Sequence, residues 1–253
     1  MTKLILTLCA CAALMLSVST NAYSQTSAKA PMPKVIFFDV NETLLDLEDL
    51  RSSVAVALDG RDDLLALWFS MMLHHSLVDA TTERFHTFGE IGVAALMMIA
   101  ESKGIELTED EARIAIVTPL RSLPPHPDVK SGLERIKAKG TILVSLTNSS
   151  NLGVKTQFEN AGLTEFFDQR LSVEDIKTYK PDLETYRWAL EKMGVEAEEA
   201  MLVAAHGWDI AGAKAAGMQA AFITRPGKTL YPLAIEPDYI VSDLHELAEI
   251  LED

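Results

Sequence analysis

Lys34-Val35-Ile36-Phe37-Phe38-Asp39 runs directly into Val40-Asn41-Glu42-Thr43-Leu44-Leu45-Asp46, and the reading of this junction decides the fold. An apolar run of strand length that ends on a lone carboxylate is a poor way to build a core. It is a good way to hold a nucleophile at the carboxyl end of a parallel strand, where open α/β sheets place their sites. The turn that follows matters as much, because Asn41 stands two residues after the carboxylate and is not a second Asp.

Downstream of this turn, strand signals vanish. Ser52–Ala66, Leu67–Asp79, Thr82–Glu101 and Thr108–Leu120 read as successive helices with apolar faces. Ser122-Leu123-Pro124-Pro125-His126-Pro127 ends them sharply, since proline neither continues a helix nor favours one just before it. From Asp128 helices and strands alternate: strands are expected at Thr141–Leu146, Arg170–Val173, Ala200–Ala204, Gln219–Ile223 and Tyr239–Val241. Helices are expected at Val129–Lys139, Leu152–Asn160, Asp182–Met193, Asp209–Ala216 and Leu244–Leu251. Such alternation predicts an α/β fold, a Rossmann-like parallel sheet with helices on both faces. The core then covers residues 34–47 and 125–253, with a helical cap inserted over 48–124.

The start of the chain reads as a leader. Lys3 gives a positive end, Leu4–Val18 is apolar but short for a membrane span, and Ser19-Thr20-Asn21-Ala22 supplies small residues for cleavage. We therefore expect a signal peptide over 1–22, a disordered lead-in over 23–33 and a periplasmic or secreted protein with no membrane attachment after cleavage. Lipidation at Cys11 is a lesser alternative. Both cysteines, Cys9 and Cys11, lie in this leader, so the mature chain has no thiol for disulfides, nucleophilic catalysis or metal binding. A formal net charge of −15 speaks against a nucleic-acid partner.

Four segments fall at expected strand ends: Asp39-Val40-Asn41-Glu42-Thr43, Leu146-Thr147-Asn148-Ser149, Tyr179-Lys180-Pro181-Asp182 and Ala205-His206-Gly207-Trp208-Asp209. Their order and spacing resemble the haloacid dehalogenase superfamily, and more closely its type II L-2-haloacid dehalogenase branch. The resemblance runs from about Lys34 to the end of the chain, cap included. It implies that Asp39 attacks C2 of a short 2-halocarboxylic acid, expels halide and forms an ester that water then hydrolyses to the 2-hydroxy acid. It also implies that Lys180 keeps Asp39 ionised, Thr43 fixes its rotamer and Asp209 orients Lys180. Thr147, Asn148 and the amides of Val40 and Asn41 hold the substrate carboxylate, and Tyr186 lines the pocket. A homodimer is the usual assembly of such relatives.

Phosphatases of the same superfamily carry a second Asp two residues after the nucleophile and acids near the last motif for magnesium. Here Asn41 cannot donate a proton in that role, and Ala204 stands where an acid is expected. We therefore expect no metal and no cofactor. A magnesium-dependent phosphatase, and a weakly catalytic protein that binds small carboxylates, are the alternatives.

Three positions depart from the branch pattern. Trp68-Phe69 replaces a cap Trp-Arg whose Arg faces the halide. Ala204-Ala205-His206 replaces Ser-x-Asn, and Asn41-Glu42 stands in the first motif. Phe69 offers only apolar bulk to the substrate. His206 is expected to take a proton from the hydrolytic water, oriented by Glu42. The plainer alternatives are a surface turn residue for Glu42, a core histidine for His206 and a helix N-cap for Asp39.

Overall fold

The computed structural model describes residues 31–252; the expected leader and most of the lead-in lie outside them. β1 (Val35–Phe38) is buried on both faces, as its unbroken apolar run requires. β2 (Ile142–Thr147) and β4 (Ala200–Ala204) flank it in parallel. β3 (Gln169–Ser172) pairs with β2, β5 (Gln219–Ile223) with β4 and β6 (Tyr239–Val241) with β5, again all parallel. The order is β3-β2-β1-β4-β5-β6. The chain moves outward from β1 to β3, then crosses back to β4 and runs outward the other way. The carboxyl ends of β1 and β4 therefore flank the switch point, where a crevice forms in such sheets.

Between β1 and β2 lie α1 (Arg51–Ala57), α2 (Leu65–Thr81), α3 (Phe88–Lys103), α4 (Glu109–Leu120) and α5 (Val129–Lys137). α1 to α4 pack on one another, whereas α5 lies against α9 (Leu244–Ile250). The chain leaves and rejoins the sheet layer at adjacent points: Asp46 N–H donates to the Pro124 carbonyl at 2.8 Å, and His126 N–H to that of Leu44 at 3.0 Å. One sheet face, with Ile36, Phe38 and Val203, is continuous with an apolar interior that includes Trp68, Met72, Leu96 and Ile116. The other face packs Val35, Phe37 and Leu202 against Tyr186 and Ala189 of α7 (Leu183–Met193) and Ile210 and Ala213 of α8 (Gly207–Ala215).

The sheet strands lie within a residue of their expected bounds, but the inserted helices differ. The expected helix over 52–66 stops at Ala57, because Asp59 and Gly60 both take left-handed backbone (φ 53° and 84°) and break it. α2 then runs unbroken from Leu65 to Thr81. α3 starts at Phe88 rather than Thr82, since Thr87 and Glu90 form a reciprocal capping box there. α6 (Asn151–Ala161) begins behind Ser150, whose side chain caps Gly153 N–H at 3.1 Å.

Candidate active site

Asp39 follows β1 directly, and its N–H still bonds the Val203 carbonyl of β4 at 3.0 Å. The chain then turns tightly, with the N–H groups of Leu44 and Leu45 donating to the Val40 carbonyl at 2.9 and 3.0 Å. This brings Thr43 back over the nucleophile: its hydroxyl donates to Asp39 Oδ2 at 2.6 Å while accepting from Ala205 N–H at 2.9 Å. Both hydrogen-bonding directions of that hydroxyl are used, so the Asp39 rotamer is fixed from β1 and β4 together.

Lys180 lies in the connection before α7 and is wholly buried. Its Nζ sits 2.9 Å from Asp39 Oδ1 and 2.5 Å from Asp209 Oδ2. Asp209 Oδ1 accepts the Tyr186 hydroxyl at 2.6 Å. Tyr186 reaches that oxygen because α8 has Gly212 beneath it, where a Cβ would come within 2.4 Å of the hydroxyl oxygen. Asn148 brackets the Lys180 backbone, accepting its N–H at 2.9 Å and donating to its carbonyl at 3.4 Å. Burial alone would push the Asp39 carboxyl up. Lys180, then His206 and Thr43, outweigh it and hold Asp39 well below the usual carboxylate range. Burial would likewise neutralise Lys180, but Asp209 and Asp39 keep it charged and raise its pKa. Asp209 itself is pushed up by burial, against the pull of Lys180.

His206 ends the β4–α8 connection between two carboxylates. Nδ1 is 3.0 Å from Asp39 Oδ2 and Nε2 is 2.8 Å from Glu42 Oε2. Both ring nitrogens face acceptors that carry no proton, so both bonds form together only when the ring is an imidazolium. Burial would lower its pKa, but the bonds and charges of Asp39 and Glu42 raise it to about 9. The ring is stacked between Phe69 of α2 (centroids 5.8 Å apart) and Trp208 (4.9 Å), whose faces also favour a cation. The expected base is thus a cation in the resting protein and must lose a proton before it can take one from water. Glu42 adopts left-handed backbone (φ 63°), a conformation that costs a non-glycine residue on the order of 1 kcal/mol or more. Burial raises its pKa less than His206 and Lys228 lower it, so it stays ionised.

A small cavity of about 10 Å³ opens onto Asp39 and His206. Asn41, Thr147 and Asn148 line it from the core together with Trp208, and Phe69, Leu73 and Phe88 from the helices above. That is about the room one water takes. Several expected site residues sit differently from the reading above. The Asn148 amide is engaged with Lys180, so what it positions is the Lys180 backbone. The Asn41 side chain is also engaged, donating to Ser149 Oγ at 3.2 Å and accepting from Gln157 at 2.8 Å, which leaves its expected backbone role untouched. Tyr186 lies under Asp209 in the other sheet-face core and does not line the cavity. The Val40 side chain is wholly buried, which leaves only its backbone for a substrate. Thr147 lines the cavity while its hydroxyl accepts Ser149 N–H at 3.1 Å. Sequence reasoning missed Trp208, although it adjoins Asp209 in a quoted motif, and also Leu73 and Lys228, for which no local pattern exists.

A divalent cation does not fit this arrangement. The ammonium of Lys180 already occupies the space between Asp39 and Asp209, the Asn41 amide is bonded away, and Ala204 carries no donor. Among the described residues no group of three or more His, Cys, Asp or Glu is placed to hold a metal ion.

The model of haloacid dehalogenase-like hydrolases matches residues 33–217. The (S)-2-haloacid dehalogenase of Pseudomonas sp. (strain YL) is 28% identical over 87% of this chain and 94% of its own length. (S)-2-haloacid dehalogenase 1 of Pseudomonas sp. (strain CBS-3) is 30% identical over 85% of this chain and 94% of its own. Among solved structures, the L-2-haloacid dehalogenase of Xanthobacter autotrophicus superposes with a TM-score of 0.81 at 25% identity, covering 87% of this chain and 99% of that one. With the parallel sheet, the inserted helices and the Asp39–Lys180 pair in place, the chain belongs to the haloacid dehalogenase-like hydrolase family.

Proposed function

We propose that the protein hydrolyses short (S)-2-haloacids to 2-hydroxy acids by way of an Asp39 ester, with no metal taking part. The single observation that carries this reading is the ionised, buried Asp39 carboxylate clamped by the Lys180 ammonium at 2.9 Å, with Asn41 and not a second Asp two residues on. Halide leaves without protonation, so the missing general acid at Asn41 is no obstacle. The relatives with named activity act on the same substrate class.

In the first half-reaction Asp39 attacks C2 from the side opposite the halogen, the C–O bond forms as the C–X bond breaks, and the halide takes the electron pair. Asp39 becomes a neutral ester. His206 then loses one of the two carboxylates that held its proton, its pKa falls, and the proton leaves to solvent with the halide. The neutral imidazole, still bonded to Glu42, takes a proton from water as the hydroxyl adds to the ester carbonyl carbon. Collapse releases the alkoxide, which takes the proton of the Asp39 carboxyl. Asp39 is an anion again, His206 a cation, and the 2-hydroxy acid leaves with inverted configuration.

The test is halide release from the separate enantiomers of 2-chloro- and 2-bromopropionate with chelator present, alongside Asp39→Asn. We expect release from the (S) acid and none from the variant. Magnesium-dependent release of phosphate from a phosphoester, with no halide from any acid, sinks the reading. On the leader composition and the family resemblance we further place the protein outside the cytoplasm as a homodimer; cell fractionation and the sedimentation mass check both.

A further inference from the structure

One more cation reaches the site, from the connection between β5 and β6. Arg225-Pro226-Gly227-Lys228 is a tight turn closed by Lys228 N–H donating to the Arg225 carbonyl at 3.0 Å, with Gly227 at φ 74° as a type II turn requires. Three anchors hold it. The buried Arg225 guanidinium grips Asp128 with two bonds of 2.7 and 3.0 Å, and its Nε donates to the Thr43 carbonyl at 3.1 Å. Beyond the turn, Thr229 and Tyr231 press on Gly207, where a Cβ would come within 2.7 Å of the Thr229 oxygen and 2.8 Å of the Tyr231 nitrogen. The third anchor is Lys228 itself, whose ammonium pairs with Glu42 Oε1 and stands 5.7 Å from the centre of the Phe69 ring.

We propose that Lys228 is a positioning residue for ester hydrolysis: it fixes Glu42 as a carboxylate and offsets its charge, so that His206 can release its proton once Asp39 is esterified. This rests on the dehalogenase reading above. In the resting site charges alternate along Lys228, Glu42, His206, Asp39, Lys180 and Asp209, each beside a partner of opposite sign. Esterification removes the Asp39 charge and leaves His206 facing Glu42. An unpaired Glu42 would hold the imidazolium and block the base. Lys228, on the far oxygen of the same carboxylate, weakens that hold.

Among the described residues no other group facing the pair supplies this charge. His126 Nε2 lies against the Glu42 carbonyl at 3.2 Å, not the carboxylate, and burial, then Arg225, lowers its pKa. Arg225 is committed to Asp128 and Thr43, Lys180 lies beyond Asp39, and Phe69 and Trp208 bring rings without charge. The turn is anchored to Thr43, Asp128 and Gly207, all outside the inserted helices, so the placing of Lys228 on Glu42 is set by the sheet layer.

Lys228→Met and Lys228→Arg test the idea with two measurements. Titration of the His206 ring by nitrogen NMR needs no turnover. Removing a positive charge one residue away should raise its pKa by about one unit in the Met variant, and Arg should restore it. In rapid-mixing kinetics with a 2-haloacid, the Met variant should keep the halide burst. Its kcat near neutral pH should fall about tenfold, its acid limb should move up by about one pH unit, and the ester should accumulate by mass spectrometry; Arg should rescue all three. An unchanged His206 titration and acid limb overturns the proposal, as does loss of the burst together with turnover. If the unaltered protein gives no burst, the dehalogenase reading has failed, and the titration alone decides whether Lys228 tunes His206.

Discussion

On one side of Asp39, Lys180, Asp209 and Tyr186 form a fully buried chain of short bonds. On the other, His206, Glu42 and Lys228 form a chain that ends in a partly exposed ammonium and passes through a strained left-handed residue. In the first chain the ammonium is held charged by Asp209 and Asp39, and the phenol is held neutral, raised well above its usual value by burial and the neighbouring Asp209. The second centres on an imidazole. The division matches the chemistry, because alkylation needs one fixed charge state of Asp39 and ester hydrolysis needs a group that takes up and gives back a proton.

Breaking the first chain has the largest expected effect. Lys180→Met leaves Asp39 and Asp209 buried without their shared cation, so the Asp39 pKa rises and the nucleophile is lost. Halide release should fall by on the order of a thousandfold or more, and stability by about 3–5 kcal/mol, read from denaturant unfolding. A variant that keeps its burst would show that the second chain alone can hold Asp39 ionised. His206→Ala is the next largest. Its burst should survive, since Lys180 and Thr43 still hold Asp39, while turnover drops by roughly 10²–10⁴ and an adduct on Asp39 persists in the mass spectrum. Full turnover without a trapped ester would remove His206 from the hydrolytic step.

The same division explains what the sequence discloses. β1 to β6 are legible because a strand buried on both faces is an unbroken apolar run between turn residues. Asp39, Thr147 and Asp209 are legible because each sits at the end of such a strand or opens the helix after it, and Lys180 because the Lys-Pro-Asp element before α7 carries it. The Glu42–His206 contact was expected from two departures from the family pattern, yet the protonation state of the ring was not. That depends on His206 meeting two carboxylates at once, one of them Asp39 from a strand 167 residues earlier. Lys228 was invisible for the same reason: it pairs 186 residues away, and its approach is fixed by Arg225 and Gly207 rather than by any local period. The ends of the inserted helices escape the apolar periodicity, because Asp59-Gly60 and the Thr87–Glu90 capping box override it.

The pH dependence of stability separates the two chains most finely. His206 rises from 6.5 to about 9 on folding, so its contribution is fully present below pH 6.5 and is lost as pH climbs through 9. Asp39 and Glu42 are depressed from 3.8 and 4.5, so theirs is present above those values and is lost as pH falls through their lower folded pKa values. His126 is depressed from 6.5, chiefly by burial, so its contribution begins to fade as pH drops below that value and rounds the plateau on the acid side. The protein should thus be most stable near pH 6 and lose up to roughly 3 kcal/mol between pH 6.5 and 9 through His206 alone. Lys180 and Tyr186 are both raised above already high values, so neither titrates across this window. His206→Asn should therefore flatten the alkaline limb of Tm against pH, and it should weaken the acid one as well, because His206 is among the groups that depress Asp39 and Glu42. If the native limb and that of His206→Asn coincide, the imidazole is neutral in the resting protein, and the charge alternation around Asp39 stops at Glu42.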